Sequence, residues 1–283
     1  IMIEGVLLAI FAGLMLGLYA LPEKFTKDFK YENTWSIFFL LTMFIVPIIA
    51  SLTLINGFGD IFGNMPTSIW VKMGLTSFLW GIGVMMWSKA INHIGLSLGF
   101  SLFIGTIILV GSLLPYIEEG LPATNVLTTI LIGLAVVLVG IFANGKAGLI
   151  REKDESNSSE KKEAKGSMVT GILIAVVGGL LATGFSYANA AGRPYLHEAC
   201  QAAGNAEWIT AVAVMFPIFV SGGIVMTAYF LWQLSHKKAW SEFKTPAFSK
   251  NFVLILIMAI FHYAASALFA FAAYKLGESG NTV

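Results

Sequence analysis

Long apolar runs separated by short polar ones organise this chain. The apolar stretches fall at about 3–22, 34–56, 68–92, 95–116, 124–143, 167–191, 208–234 and 251–276. Each is close to the roughly 20 residues that a helix needs to cross a hydrocarbon core. Only helices suit such runs, because each backbone N–H and C=O must find its partner inside the segment. A barrel strand would show alternating polarity over about ten residues, and the runs lack it. The pattern therefore predicts an all-α membrane protein with eight transmembrane helices.

Composition agrees with this. Hydrophobic residues make up 57% of the 283 and charged residues 12%, about half the usual charged share of a soluble domain. The 29 glycines suit helices that pack closely in lipid. A net charge of +1 gives no footprint for nucleic acid. The single cysteine, Cys200, excludes an intrachain disulfide and reads as a small filler residue. The chain begins at Ile1, which suggests a fragment or a different start. The first run has no basic n-region or cleavage site, so it reads as a true span.

Most connections are short. The exception, 144–168, carries Arg151-Glu-Lys-Asp-Glu155 and Glu160-Lys-Lys-Glu163 around a Ser/Asn stretch, and reads as a charged, solvated linker. It separates a first unit, 1–143, from a second, 169–283. Of the 17 Lys and Arg, 14 lie in odd-numbered loops: Lys24, Lys27 and Lys30, then Lys89, then six in the linker, then Lys237, Lys238, Lys244 and Lys250. The positive-inside rule places these loops in the cytoplasm and the N-terminus outside, in a multi-pass protein of the cytoplasmic (inner) membrane.

The two units echo one another. Gly13-Leu14, Gly17 and Tyr19-Ala20 match Gly179-Leu180, Gly184 and Tyr187-Ala188. Met43-Phe44, Pro47-Ile48 and Ser51 match Met215-Phe216, Pro217-Ile218 and Ser221. Gly95 matches Gly277. The offsets are 168, 170 and 182 residues, a displacement of five spans each time. An odd number of spans turns the second copy upside down, giving an inverted-topology pair, a carrier architecture. The second copy has only three spans here. A full pair has ten helices, so two more, roughly 60 residues, are expected beyond Val283.

None of the 16 acidic residues falls in mid-span. His262 does, and an ionisable group at that depth marks a function by default. Imidazole titrates near neutral pH, so His262 is a candidate proton acceptor or hydrogen-bond partner of a transported polar solute. The alternative is a neutral histidine bonded to a neighbouring helix. His197 and Glu198 follow Arg193-Pro194, where proline is expected to end or kink the sixth span. They are candidates for proton coupling at the outer mouth, or plain interfacial charges. Ser186 and Asn189 share a helix face, with Tyr187 beside them. Amides and hydroxyls both donate and accept, as a polyhydroxylated solute requires, and as helix–helix bonds also do. Trp80 and Trp87, seven apart, can stack on the apolar face of a ring-shaped solute or simply pack. Tyr19 occupies the repeat position of Tyr187. Pro47 and Pro217 are candidate hinges or static kinks. No phosphate-binding loop, metal cluster, HExxH or nucleophile–base arrangement is apparent, so neither catalytic nor metal-binding residues are assigned.

The run Trp80-Gly-Ile-Gly83, Gly95-Leu-Ser-Leu-Gly99, Ile104-Gly105, Val110-Gly-Ser-Leu113 and Pro115 resembles the L-rhamnose–proton symporter family, of the drug/metabolite transporter superfamily. So do Ser186-Tyr-Ala-Asn-Ala-Ala191, Pro194 and His197-Glu198-Ala199. The similarity runs from span one into span eight. It implies ten helices in two inverted five-helix repeats and proton-driven sugar uptake, with L-rhamnose or a related sugar and a proton as the transported partners and no other cofactor. The competing readings are an exporter or exchanger of amino acids or drugs in the same superfamily, and a membrane-embedded enzyme or receptor.

Overall fold

Helices α1 (Met2–Leu18), α2 (Tyr31–Leu40), α3 (Val46–Leu54), α4 (Phe58–Gly63), α5 (Thr67–Leu113), α6 (Thr124–Ser158), α7 (Met168–Ala182), α8 (Gly184–Ala202), α9 (Ile209–His236) and α10 (Phe248–Lys275) follow in order. Between them lie 3-10 turns at Leu21–Phe25 and Ala239–Phe243. This is a computed structural model, and it describes residues 2–113, 116, 121–158 and 167–276. No strand occurs among the described residues. Pro115, the segment 159–166 of the charged linker, and Gly277 lie outside the described residues.

Among the described residues, seven helical segments are long and apolar enough to cross a membrane: Ile3–Phe25, Tyr31–Leu54, Thr67–Ile91, Thr124–Ala147, Met168–Ala202, Ile209–His236 and Phe248–Lys275. Of the expected run at 95–116, the described residues form the apolar helix Ser97–Leu113. The break between it and the helix before it is Gly95, whose φ of 77° and ψ of 166° interrupt α5. Only glycine adopts such a conformation readily.

Three further boundaries differ from expectation. The sixth span does not stop near residue 191. The chain breaks at Thr183, whose hydroxyl donates to the Leu180 carbonyl at 2.6 Å, and α8 then carries on through Pro194 to Ala202. His197 and Glu198 are therefore helical residues. The charged stretch is helical at 144–158, where it continues α6; Arg, Glu and Lys are good helix formers, and solvation does not oppose them. Finally, residues Leu41–Ile45 form a π-turn between α2 and α3, with the Val46 N–H donating to the Leu41 carbonyl. Pro47 explains it: proline has no N–H to offer the fourth carbonyl back, and its ring crowds that carbonyl. Pro217 sits within an uninterrupted α9.

The described chain forms two compact units, one of residues up to Gly81 with those from Ala188 onward, the other Ile82–Tyr187. In the first, α1 lies along α10, and α9 packs against α2, α3 and α10. Exposed Ile3, Leu7, Ile10, Leu14 and Leu18 line one face of α1 at helical spacing, as a lipid-facing stripe does. Glycines permit the closest approaches. A Cβ on Gly81 would lie 2.4 Å from the Gly222 carbonyl oxygen, and one on Gly223 would lie 2.4 Å from the Met43 Cβ. In the second unit, Gly83 and Gly178 meet the same way, with a Gly83 Cβ 2.4 Å from the Gly178 oxygen. Ala90, Ile94 and Ala175 form its buried core.

Both ends of the first unit are tied by side chains. At one end Lys30 pairs with Glu242 at 2.6 Å and Lys237 pairs with Glu32. Asn33 Nδ2 donates to the Ala239 carbonyl at 2.8 Å, and Asn251 Nδ2 donates to the Lys27 carbonyl at 2.7 Å. At the other end Asn205 Nδ2 donates to the Asn56 carbonyl at 2.9 Å, and Lys275 pairs with Glu207.

Candidate functional site

His262 is the fifteenth residue of the 28-residue α10, half-buried inside the first unit. Its ring lies 4.7 Å from the Tyr19 ring, 5.5 Å from Phe38 and 5.6 Å from Phe219, centroid to centroid. Tyr19 follows the end of α1, Phe38 comes from α2 and Phe219 from α9, so three parts of the chain converge on an imidazole carried by a fourth, α10. Trp80 joins through Phe219, at 5.8 Å.

Thr42, on the π-turn, fixes the imidazole. Its hydroxyl donates to the Ala259 carbonyl at 3.3 Å and stands 3.2 Å from His262 Nδ1. A hydroxyl has one proton to give. With that proton on Ala259, Nδ1 carries the hydrogen and donates, the tautomer that leaves Nε2 as the acceptor. No hydrogen bond to Nε2 occurs among the described residues. The site thus combines an apolar aromatic wall with one basic nitrogen, an arrangement suited to a ligand with a carbon face and a hydroxyl.

A second group of polar residues lies nearer the end of the unit that holds Asn205. A narrow cleft is lined by Asn189, Arg193, Glu207, Thr210 and Tyr274, with Ala211, Val214, Ala270 and Phe271. Arg193 Nη2 donates to the Ala270 carbonyl at 3.3 Å. His197 stands beside the cleft, with Nδ1 3.3 Å from the Thr210 hydroxyl and its ring 4.9 Å from that of Tyr274. Hydrogen bonds from Lys275 and then Tyr274 hold the Glu207 carboxyl below the usual carboxylate range. A depressed carboxyl stabilises the fold above its unfolded-state pKa and loses that contribution as pH falls through its folded value. The thermal midpoint of the purified protein is therefore expected to be insensitive to Glu207 near neutral pH. It should fall below the ordinary carboxylate range, and fall less steeply in Glu207→Gln. The side chain is 40% exposed, so the effect is small, as for other water-facing pairs.

Of the residues singled out from sequence, Tyr19, Trp80 and His262 come together. Asn189 and His197 belong to the cleft. Glu198 is exposed on α8 and outside the cleft lining; the carboxylate that lines it is Glu207. Trp87, Ser186 and Tyr187 belong to the other unit. There Trp87 stacks on Phe103 at 5.5 Å and 18°, with its indole N–H buried and unpartnered. Ser186 faces Gly111, whose added Cβ would be 3.7 Å from the hydroxyl. Sequence reasoning missed Thr42, Phe38 and Phe219. For Thr42 the available signal was a hydroxyl one turn before Pro47 in an otherwise apolar run. Neither phenylalanine carried one, among 22 in the chain.

The chain matches the family described as L-rhamnose-proton symport protein (RhaT) over residues 1–279. It is similar to the L-rhamnose-proton symporters of Yersinia pestis bv. Antiqua (strain Antiqua) and Yersinia pseudotuberculosis serotype O:3 (strain YPIII). Each is 28% identical over 212 residues, covering 74% of this chain and 60% of the relative. The chain thus spans about 60% of the length of these curated relatives. No solved structure matches it. With its apolar, multi-pass helical architecture and a match that runs through nearly all of its length, this chain belongs to the L-rhamnose-proton symport protein family.

Proposed function

We propose that the protein carries L-rhamnose or a related sugar into the cell together with a proton. The observation that carries this reading is His262, held by Thr42 as an Nδ1–H imidazole with Nε2 unengaged, among Tyr19, Phe38 and Phe219. A deoxysugar offers an apolar face to such rings and a hydroxyl to Nε2. Protonation of Nε2 turns an acceptor into a donor, so sugar binding and proton binding interact through the same atom. The sugar assignment also draws on the relatives, which are named as L-rhamnose-proton symporters.

The architecture we infer is the inverted pair, eight spans of ten, with its first repeat at 1–143, the linker at 144–168 and the second repeat from 169. One reciprocity supports it. Asn33, at the start of the second span, donates to a carbonyl just after α9. Asn205, just before α9, donates to a carbonyl just after α3. The same bond thus recurs at opposite ends, as an inverted pair requires. In this reading the basic end with Lys30 and Lys237 is cytoplasmic and the Glu207 end faces outward. The π-turn before Pro47 supports a hinge there, with Pro217 as its stiffer counterpart. Tyr19, Trp80 and His262 form the sugar site. His197 and Glu198 remain candidate proton relays. Trp87, Ser186 and Tyr187 are candidates only for their own unit's share of the path.

The test adds L-rhamnose to an unbuffered anaerobic suspension of cells that lack their own rhamnose carrier but express this protein. External alkalinisation with concurrent uptake of labelled sugar is expected. Neither signal, with the protein shown to be in the membrane, contradicts the sugar assignment.

A further inference from the structure

A carboxylate with no cation paired to it lies close to the His262 site. Glu23 belongs to the 3-10 turn Leu21–Phe25 and is half-buried. Its Oε1 accepts from the Trp35 indole N–H at 2.8 Å. The Trp35 ring stands edge-on to that of Tyr19 at 6.5 Å, and Tyr19 is the residue whose ring lies 4.7 Å from His262. Contacts therefore run from His262 through Tyr19 and Trp35 to Glu23, all inside the first unit.

Its surroundings set Glu23 apart from the other carboxylates at this end. Glu32 pairs with Lys237 and Glu242 with Lys30, so protonating either breaks an ion pair. Asp28 is exposed and accepts from the Thr245 hydroxyl at 2.9 Å. Glu23 has no ion pair among the described residues, and Lys24, next in the chain, is exposed. The titratable groups near enough to feel its charge are Tyr19 and Tyr31. An indole only donates, and this one engages Oε1 alone. No hydrogen bond to Oε2 occurs among the described residues. Oε2 can thus gain and lose a proton while the Trp35 bond keeps the carboxyl in place. The Tyr19 hydroxyl also has no hydrogen bond among the described residues. A hydroxyl accepts at its oxygen and donates its own hydrogen, which suits a group standing between an imidazole and a carboxylate.

Position adds to this. Asn251 on α10 holds Lys27, accepting from its backbone N–H at 3.0 Å and donating to its carbonyl at 2.7 Å. Asn251 precedes His262 by 11 residues on α10, or about 16–17 Å at 1.5 Å per residue. Glu23 falls between Tyr19 and Lys27 in the chain. It therefore stands between the His262 site and the basic end, which the proposed orientation makes cytoplasmic.

We infer that Glu23 is the inward proton acceptor of this carrier, the carboxylate that takes the proton from His262 and passes it to cytoplasmic water. Protonated His262 gives up the hydrogen at Nε2 and becomes a neutral imidazole. The Glu23 carboxylate becomes a neutral acid, and returns to the anion on releasing the proton inside. The inference rests on the proposed proton-coupled uptake and adds the residue that completes it.

Sugar exchange needs no proton release inside, because the same proton can travel back with a second sugar; net uptake does need it. The test measures both in right-side-out membrane vesicles: exchange of labelled for unlabelled L-rhamnose at equal pH, and accumulation under an acid-outside gradient. The thermal midpoint of each purified variant is taken alongside. Glu23→Gln keeps an acceptor for Trp35 but does not titrate. It should keep the exchange and the midpoint of the wild type and lose accumulation. Glu23→Asp and Glu23→Asn form a second pair, one methylene shorter, which decides the matter if the glutamine variant does not fold. Accumulation in the aspartate variant alone supports the inference, and accumulation in both or in neither overturns it. Accumulation by Glu23→Gln equal to wild type overturns the inference and leaves the transport reading standing. Exchange, accumulation and midpoint that fall together in Glu23→Gln make Glu23 a structural residue and also overturn it. A wild type that exchanges sugar without accumulating it overturns the inference and the proton coupling together.

Discussion

Replacing His262 by asparagine is expected to separate sugar movement from proton movement. Asparagine keeps a donor and an acceptor but does not titrate. Exchange of labelled for unlabelled L-rhamnose should continue, while accumulation driven by a pH gradient is lost. His262→Leu removes the hydrogen bonding as well, and exchange should then fall about 10- to 100-fold, the range for bonds to a group that becomes charged. Neither change should unfold the protein, because Thr42 keeps its bond to the Ala259 carbonyl. The measurement is counterflow and gradient-driven uptake in the same vesicles. Unchanged accumulation in His262→Asn would remove the imidazole from the coupling step and pass that role to His197 or Glu198.

The second large effect concerns packing. A side chain at Gly81 would start 2.4 Å from the Gly222 carbonyl oxygen, and one at Gly222 would start 2.5 Å from the Trp80 ring. Backbone cannot yield as a flexible side chain can, so Gly81→Val should cost at least the 1–3 kcal/mol, roughly, of an overpacked core. The expected result is loss of monodisperse protein after extraction. Gly13 and Gly17 have nothing within 4 Å of an added Cβ. Alanine there should be tolerated, with a gain of up to about 1 kcal/mol from helix propensity. Equal yields from Gly81→Val and Gly13→Ala would contradict the close approach of these helices. A side chain at Gly222 presses on the Trp80 ring, so Gly222→Ala should bind sugar less well.

These two cases show what the sequence could and could not disclose. His262 was legible because a single titratable side chain in a 28-residue apolar helix has no cheap explanation. Gly95 was legible as a break because two apolar runs abut there. Thr42 was not, because a threonine in an apolar run is ordinary until a neighbouring helix supplies a histidine. The course of α8 was hidden for a different reason. Pro194 suggested an end, yet the chain turns at Thr183, and proline sits inside the helix that follows. That helix is what carries Asn189, Arg193 and His197 to the cleft. Glu207 was visible as a charge near a span end, but its pairing with Lys275 and Tyr274 depends on where α10 finishes, which periodicity does not give. The face shared by Ser186 and Asn189 was a sound helical inference. It did not foresee that the compact units divide between Tyr187 and Ala188.

The central claim is that sugar and proton enter together. Its most direct test is an imposed pH gradient, acid outside, across proteoliposomes that hold the purified protein and no other energy source. The account predicts that L-rhamnose accumulates inside above its external concentration and leaks back when a protonophore collapses the gradient. Uptake that only equilibrates, and does so equally with and without the gradient, would contradict it.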